Sequence, residues 1–156
     1  MDFKPGDIFI TDEEKLSVAI AEAHLGLSEG GIPIGAALFD KDGVLLGSGH
    51  NLRVQQGDAS MHGETSAFRN AGRQRSYKNV TLATSLSPCW YCSGLIRQFN
   101  IGKLLVGDDI NFKGGQDWVQ EHGCDVTVMN DPGLIKVMGD FIIANPTLWN
   151  EDIGED

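Results

Sequence analysis

Residue types that bind zinc occur in two short segments of this sequence. The first reads H-x-E over residues 62–64, and the second reads P-C-x-x-C over residues 88–92. An imidazole and two thiolates bind Zn²⁺ tetrahedrally and leave a fourth position for water, whose pKa the metal lowers. Glu64 lies too close to His62 to complete the ligand set, but it is well placed to carry protons beside that water. We therefore predict a catalytic zinc site made of His62, Cys89, Cys92 and Glu64.

Neither segment is specific when taken alone. A lone C-x-x-C can be a redox pair, half of a structural zinc site or two core cysteines, and H-x-E occurs by chance in many chains. The order of the segments and the proline directly before Cys89 favour the catalytic site, since no second C-x-x-C or H-x-x-x-H closes a structural one. The combined pattern is typical of zinc-dependent base deaminases. A non-enzymatic zinc module, in which Glu64 only caps a helix, is the alternative.

The elements around these segments predict an α/β protein. Thr11 and Glu14 form a capping box that opens a helix ending near Glu29, before two glycines. Residues 36–39 and 44–46 flank a good hairpin turn. Further strands are expected over 80–84, 103–106 and 125–129, and further helices over 61–72, 88–99, 116–122, 132–144 and the start of 146–156. The order predicts a three-layer α/β/α sandwich around a central five-stranded mixed sheet, with residues 1–156 as one domain.

This arrangement places the metal-binding segments at helix starts. His62 falls near the beginning of one helix, and Ser87 followed by Pro88 predicts an N-cap and first position for the next. Both cysteines then lie in the first turn of that helix. The positive end of a helix dipole stabilises thiolates there.

Composition limits the partners and the compartment. The formal net charge is −10, with 22 acidic and 12 basic residues, so no basic face is expected for a polynucleotide. A small neutral substrate is favoured instead. No apolar run approaches a membrane span, and the N-terminus lacks the pattern of a signal peptide. Cys124 has no evident disulfide partner, which suits a reducing compartment, and we expect the cytoplasm.

Nearly the whole chain resembles the fungal-type cytosine deaminases, small zinc enzymes of the cytidine deaminase superfamily. The Asn-Phe-Lys loop at 111–113 and the tail from Trp149 to Gly154 point to the branch that acts on free cytosine. Other similar segments are EGGIPIG at 29–35, GHN at 49–51 and LSPC at 86–89. The resemblance implies conversion of cytosine and water into uracil and ammonia in pyrimidine salvage. It also implies a homodimer, with one catalytic zinc per subunit and the zinc-bearing helices near the subunit interface.

The resemblance also implies a role for each site residue. Glu64 would take the proton of a zinc-bound water, pass it to N3 of the ring and later protonate the departing amine, while attack occurs at C4. Other residues would hold the base. Asn51 and the Gly63 N–H would bind the N1/O2 edge of the ring, and Asp152 and the Ser87 carbonyl would accept hydrogen bonds from the amino group. Phe112 and Trp149 would form the walls of the pocket, and the C-terminal helix would act as a lid.

Each of these residues also has a simpler interpretation. Asn51 could be a turn residue that His50 positions, Phe112 and Trp149 could be core packing, and Asp152 could be part of a solvated acidic tail.

Between the cysteines, Trp90 and Tyr91 depart from the yeast-like pattern of an acidic residue and a methionine. Side chains turned inward would change the preferred ring, whereas side chains turned outward could serve an interface. The alternatives are deamination of isocytosine, 5-substituted cytosines or creatinine-like rings, or a deaminase of guanine, nucleosides or tRNA adenosine.

Overall fold

A mixed five-stranded sheet with helices on both faces forms the protein. The computed structural model describes residues 2–155. Its elements in chain order are α1 (Asp12–Ser28), β1 (Gly35–Phe39), β2 (Leu45–His50), α2 (Arg53–Gln56), α3 (Gly63–Ala71), β3 (Thr81–Thr84), α4 (Trp90–Phe99), β4 (Lys103–Val106), α5 (Gln116–Glu121), β5 (Asp125–Val128), α6 (Pro132–Ala144) and α7 (Pro146–Asp152). The spatial order of the strands is β2-β1-β3-β4-β5.

Strand direction changes once across the sheet. β1 pairs antiparallel with β2 and with β3, whereas β3, β4 and β5 run parallel. Parallel neighbours need a crossover, and α4 and α5 provide the two that this chain requires. The prediction of a three-layer α/β/α sandwich with a five-stranded mixed sheet is confirmed.

Because successive side chains of a strand point to opposite faces of the sheet, the apolar core is divided between the two faces. Leu82 and Leu104 pack with side chains from α3, α4 and α5. Ala83 and Leu105, one position later in each strand, pack with side chains from α1 and α6. A third apolar cluster, centred on Trp149, holds α6 and α7 against one end of the sheet.

Two glycines allow α3 to lie directly on β2. A Cβ atom at Gly47 would collide with the backbone of Ala71, and one at Gly49 would collide with the Ser66 hydroxyl group. The strand consequently continues to His50, beyond the predicted residues 44–46. Its length matters because the residue after it enters the site described below.

The prediction for the start of α4 was wrong. The helix begins at Trp90 with Cys89 as its N-cap, not with Ser87 as N-cap and Pro88 as first residue. The Ser87 hydroxyl group instead accepts a hydrogen bond from the Gly114 N–H at 3.1 Å. The cap at Thr11 and the bounds of α6 are confirmed, whereas the short α2 was not predicted. Within residues 2–155, no helix combines the length and apolar character needed to cross a membrane.

Candidate active site

Two helix starts meet at the carboxyl end of β3 and bring the metal-binding residues together. His62 is the N-cap of α3, and its N–H donates to the Thr65 hydroxyl group at 2.9 Å. Cys89 is the N-cap of α4, and Cys92 lies buried in the first turn of the same helix. Both helices therefore direct their positive ends at one place, as the sequence predicted.

The spacing of the three side chains fits a tetrahedral metal ion. Their ligand atoms all lie within 4.8 Å of one another, and Nδ1 of His62 is 3.5 Å from Sγ of Cys89. With metal bonds of about 2.3 Å to sulfur and about 2.1 Å to nitrogen, a tetrahedron separates these two atoms by about 3.6 Å. The Tyr91 ring packs edge-on against the His62 ring.

Local charges also favour a cation. The contact with Cys92 lowers the pKa of Cys89 to about 4, against the effect of burial. The same contact, together with burial, raises the pKa of Cys92. Burial and then the charge of Cys89 raise the pKa of Glu64. A divalent cation is what allows two thiolates and a carboxylate to be ionised in so small a space, and the nitrogen and sulfur donors suit zinc.

Glu64 is buried in the first turn of α3 and shares a hydrogen bond with a residue that sequence reasoning missed. Its Oε1 accepts from Oγ1 of Thr84 at 2.6 Å, and the same hydroxyl group lies 3.0 Å from the Leu86 carbonyl oxygen. A hydroxyl group has one proton to donate and lone pairs to accept with. Thr84 can therefore donate to ionised Glu64, or accept from protonated Glu64 while it donates to Leu86.

Asn51 is fully buried just after β2 and contacts the last helix. Its N–H donates to the Ile34 carbonyl, and its Oδ1 accepts from the Arg53 N–H, both at 2.9 Å. Its Nδ2 donates to Oδ1 of Asp152 at 3.2 Å. The Arg53 side chain also reaches α7, with Nε 3.2 Å from Oε1 of Glu151. These contacts bring Asp152, more than a hundred residues away, beside Asn51.

Asp152 is a buried carboxylate rather than a solvated tail residue. Burial raises its pKa, and the charges of His62 and Arg53 and the hydrogen bond from Asn51 oppose that rise. Trp149, one turn earlier in α7, is also buried and meets Phe112 edge to face, with ring centroids 5.6 Å apart. The final helix thus places one carboxylate and one aromatic ring over the metal-binding residues.

A cavity of about 300 Å³, its mouth included, lies between these groups. Ile34, Leu86 and Ile153 give it apolar walls that the sequence did not single out. Nine of the residues that the sequence pattern and the resemblance proposed line it: Asn51, His62, Gly63, Glu64, Ser87, Cys89, Phe112, Trp149 and Asp152. Cys92 stands behind them as the third metal-binding residue.

Trp90 and Tyr91 point away from this cavity. Their side chains are 68% and 50% exposed, and the Tyr91 hydroxyl group donates to the Ser60 carbonyl at 3.2 Å. The two residues line an outer depression in front of the cavity, not the cavity itself. The aromatic pair therefore leaves the inner walls unchanged.

Comparison with known proteins identifies relatives of this architecture. Residues 10–108 match the family described as the cytidine and deoxycytidylate deaminase zinc-binding region. The chain is 43% identical over 146 residues to a cytosine deaminase from Candida albicans, covering 92% of this chain and 97% of that protein. It is 34% identical over 122 residues to a tRNA-specific adenosine deaminase from Haemophilus influenzae, covering 76% and 70%.

Solved structures share the fold. A guanine deaminase from Nitrosomonas europaea superimposes with a TM-score of 0.76 at 19% identity, over 88% of this chain and 87% of that one. A tRNA:A34 deaminase superimposes with a TM-score of 0.66 at 23% identity, over 75% and 98%. At these identities the likeness concerns the arrangement of helices and strands, not the substrate.

Proposed function

This chain belongs to the cytidine and deoxycytidylate deaminase family, and we propose that its substrate is free cytosine, which it hydrolyses to uracil and ammonia. Family membership and the His62, Cys89 and Cys92 cluster make it a zinc-dependent hydrolytic deaminase. The relative from Candida albicans, matched over almost its full length, supports cytosine as the substrate.

The small cavity beneath α7 is the observation that carries this proposal. Its volume is only about 300 Å³ even when the open space at its mouth is counted, so it admits a small ligand. Trp149 and Asp152 are both buried and close it from above. A free base suits such a space, whereas a base within a polynucleotide needs an open groove and a positively charged surface. The net charge of −10 gives no such surface.

The chemistry follows from the residues around the cavity. Bound to His62, Cys89 and Cys92, zinc supplies the Lewis acidity that makes a water molecule a stronger nucleophile. Glu64 takes a proton from the attacking water and delivers it to N3 of the ring. The new bond forms between the water oxygen and C4. Glu64 then moves the remaining proton of that oxygen to the amino nitrogen, the bond from C4 to this nitrogen breaks, and ammonia leaves.

Thr84 lets Glu64 change its protonation state without losing a partner. Burial opposes the ionised carboxylate, and the 2.6 Å hydrogen bond from Thr84 offsets that cost before the proton is taken. Afterwards the hydroxyl group turns its proton to the Leu86 carbonyl and accepts from Glu64. We expect a general acid–base contribution of about 10²–10⁴-fold from this arrangement.

The remaining residues hold the base by its edge and its faces. A primary amide such as that of Asn51 can donate to O2 and accept from N1–H, and Gly63, which also lines the cavity, offers a backbone N–H. Asp152 and the Ser87 carbonyl provide acceptors for the amino group. Phe112 and Trp149 provide aromatic faces for the ring.

The test is a panel of free bases and nucleosides with wild type and Glu64→Gln. We expect the ultraviolet absorbance of cytosine to change to that of uracil with wild type only, and both proteins to contain equal zinc. The panel includes isocytosine, 5-substituted cytosines, creatinine, guanine and adenosine. Consumption of one of these with cytosine left unchanged would refute the assignment.

We further propose that the enzyme acts as a homodimer in the cytoplasm, in pyrimidine salvage. Exposed Trp90 and Tyr91 at the start of α4 support an interface near the zinc-bearing helices, because exposed aromatic pairs are typical of protein contacts. Within the described residues, which include all three cysteines, no disulfide forms, and this suits a reducing compartment. Analytical ultracentrifugation of wild type and a Trp90→Ser, Tyr91→Ser double variant tests the dimer, and the double variant is expected to sediment as a monomer.

A further inference from the structure

One buried histidine outside the zinc site lies between two carboxylates. His50 is the last residue of β2, and its ring is almost completely covered. Nδ1 is 2.9 Å from Oε1 of Glu22, and Nε2 is 2.7 Å from Oε1 of Glu29. Glu22 is buried in α1, and Glu29 is the C-cap of the same helix. Both ring nitrogens of His50 therefore face α1.

The two contacts of the ring favour its protonated form. An ionised carboxylate only accepts hydrogen bonds, so each of the two ring nitrogens has to donate. A neutral imidazole has one N–H and satisfies one carboxylate, whereas an imidazolium satisfies both. The ring also lies at the C-terminal end of α1, where the helix dipole favours a positive charge. The imidazolium is therefore the form of the ring that fits a bridge between two ionised carboxylates, those of Glu22 and Glu29.

Neutral groups complete the cluster and connect it to the substrate site. The Ser48 hydroxyl group donates to Oε2 of Glu22 at 2.5 Å, and Nε2 of Gln55 donates to Oε1 of Glu29 at 3.1 Å. Ser48 lies in β2, before Asn51 in the chain, and Gln55 lies in α2, after Asn51. The cluster therefore holds the chain on both sides of Asn51.

We propose that His50 is a positioning residue for base binding: its imidazolium, bridged between Glu22 and Glu29, fixes the end of β2 so that the amide of Asn51 faces the substrate. This inference rests on the proposed function, since Asn51 acts there on the N1/O2 edge of the ring. His50 touches neither substrate nor metal, and its effect passes through the backbone to the next residue.

The bridge weakens when the ring loses its proton. The hydrogen bond to Glu22 raises the pKa of His50 above its ordinary value, burial opposes the rise, and the bond to Glu29 adds to it. Glu22 and Glu29 are the charged groups that act on the ring, and the neighbouring Ser48 and Gln55 are neutral. Because the pKa is higher in the folded state, the stabilisation is complete below about pH 6.5 and is lost as the pH rises through the raised value.

A set of variants separates a positioning role of His50 from an effect on general stability. Steady-state kinetics with cytosine and the dissociation constant for uracil are measured from pH 6 to pH 10 for wild type, His50→Gln and Glu29→Gln. His24→Gln is the matched control, because it makes the same change at an exposed position of α1, the helix that carries Glu22. Glu29→Gln keeps a hydrogen-bond acceptor at a side chain that is 40% exposed, so it preserves the fold if His50→Gln does not. Nitrogen NMR of the wild-type ring reports its protonation directly.

We expect His50→Gln to raise KM for cytosine and Kd for uracil about tenfold at pH 7, with kcat within about threefold of wild type. Wild type is expected to lose affinity for uracil as the pH rises, His50→Gln to lack that alkaline loss, and both ring nitrogens to carry protons at pH 7. A neutral ring at pH 7, or a His50→Gln variant with wild-type KM at every pH, would overturn the proposal. Wild type that leaves cytosine unchanged would instead refute the proposed function, and the base found by the panel would replace cytosine in the same comparison.

Discussion

Replacement of Thr84 by valine removes one hydroxyl group beside Glu64 and keeps the shape of the side chain. Thr84 is fully buried at the end of β3, and its Oγ1 lies 2.6 Å from the carboxylate of Glu64. Its backbone pairs with β1 and β4, and a β-branched replacement is favourable at such a position. The substitution therefore isolates the hydrogen bond from the packing.

The expected loss follows from the type of bond. Hydrogen bonds to charged groups are worth about 1.5–3 kcal/mol, which corresponds to about 10–150-fold in rate. We expect kcat of Thr84→Val to fall within that range, because Glu64 loses a partner that serves both of its protonation states. The Leu86 carbonyl also loses a donor, so the free energy of unfolding should fall by about 1–3 kcal/mol.

The assay follows the conversion of cytosine to uracil by ultraviolet absorbance, with zinc content and uracil affinity measured on the same samples. Thr84→Ser is the matched control, since it keeps the hydroxyl group and removes one methyl group. We expect it to retain kcat within about threefold of wild type. A Thr84→Val enzyme that contains full zinc and turns over within twofold of wild type would show that the hydroxyl group does not assist Glu64, as would an equal loss in Thr84→Ser.

Three further results are expected. Asp152→Ala should lower kcat/KM for cytosine by about 10–100-fold without reducing zinc content, and loss of zinc from this variant would show that Asp152 serves the metal instead. Burial raises the pKa of Asp152 and the charge of Arg53 opposes that rise, so kcat/KM should decrease on acidification at a pH above about 3.9, the ordinary pKa of an aspartate. Arg53→Gln removes the opposing charge and should move this decrease to higher pH. An unchanged pH profile in Arg53→Gln would contradict this expectation. Gly49→Ala should lower the melting temperature because its Cβ meets Ser66, whereas Gly94→Ala, with open space at a helical position, should not lower it; equal effects would contradict the packing of α3 on β2.

The metal-binding residues could be predicted from the sequence because their geometry is local. Cys89 and Cys92 lie one helical turn apart, and a carboxylate two residues after His62 remains close to whatever the imidazole binds. Substrate residues were predicted only through the family resemblance. Nothing in the sequence near Asp152 shows that α7 folds back over the cavity and brings Asp152 beside Asn51, which is more than a hundred residues earlier in the chain.

Contacts between residues far apart in the chain explain the features that the sequence predicted wrongly or did not reveal. Ser87 followed by Pro88 is typical of a helix start, but the Gly114 N–H occupies the Ser87 hydroxyl group and the helix begins later. Glycine usually weakens a strand, although Gly47 and Gly49 are what the contact of β2 with α3 requires. Thr84 could not be found from its sequence neighbours, because threonine is ordinary in a strand and Glu64 belongs to another element.

Removal and return of zinc tests whether turnover depends on the metal that His62, Cys89 and Cys92 would hold. Wild-type protein is treated exhaustively with a chelator, assayed with cytosine, and assayed again after one equivalent of zinc per chain is added. We predict that the chelated protein has no activity and that one zinc per chain restores conversion to uracil and ammonia. Equal turnover before and after zinc removal would contradict the account.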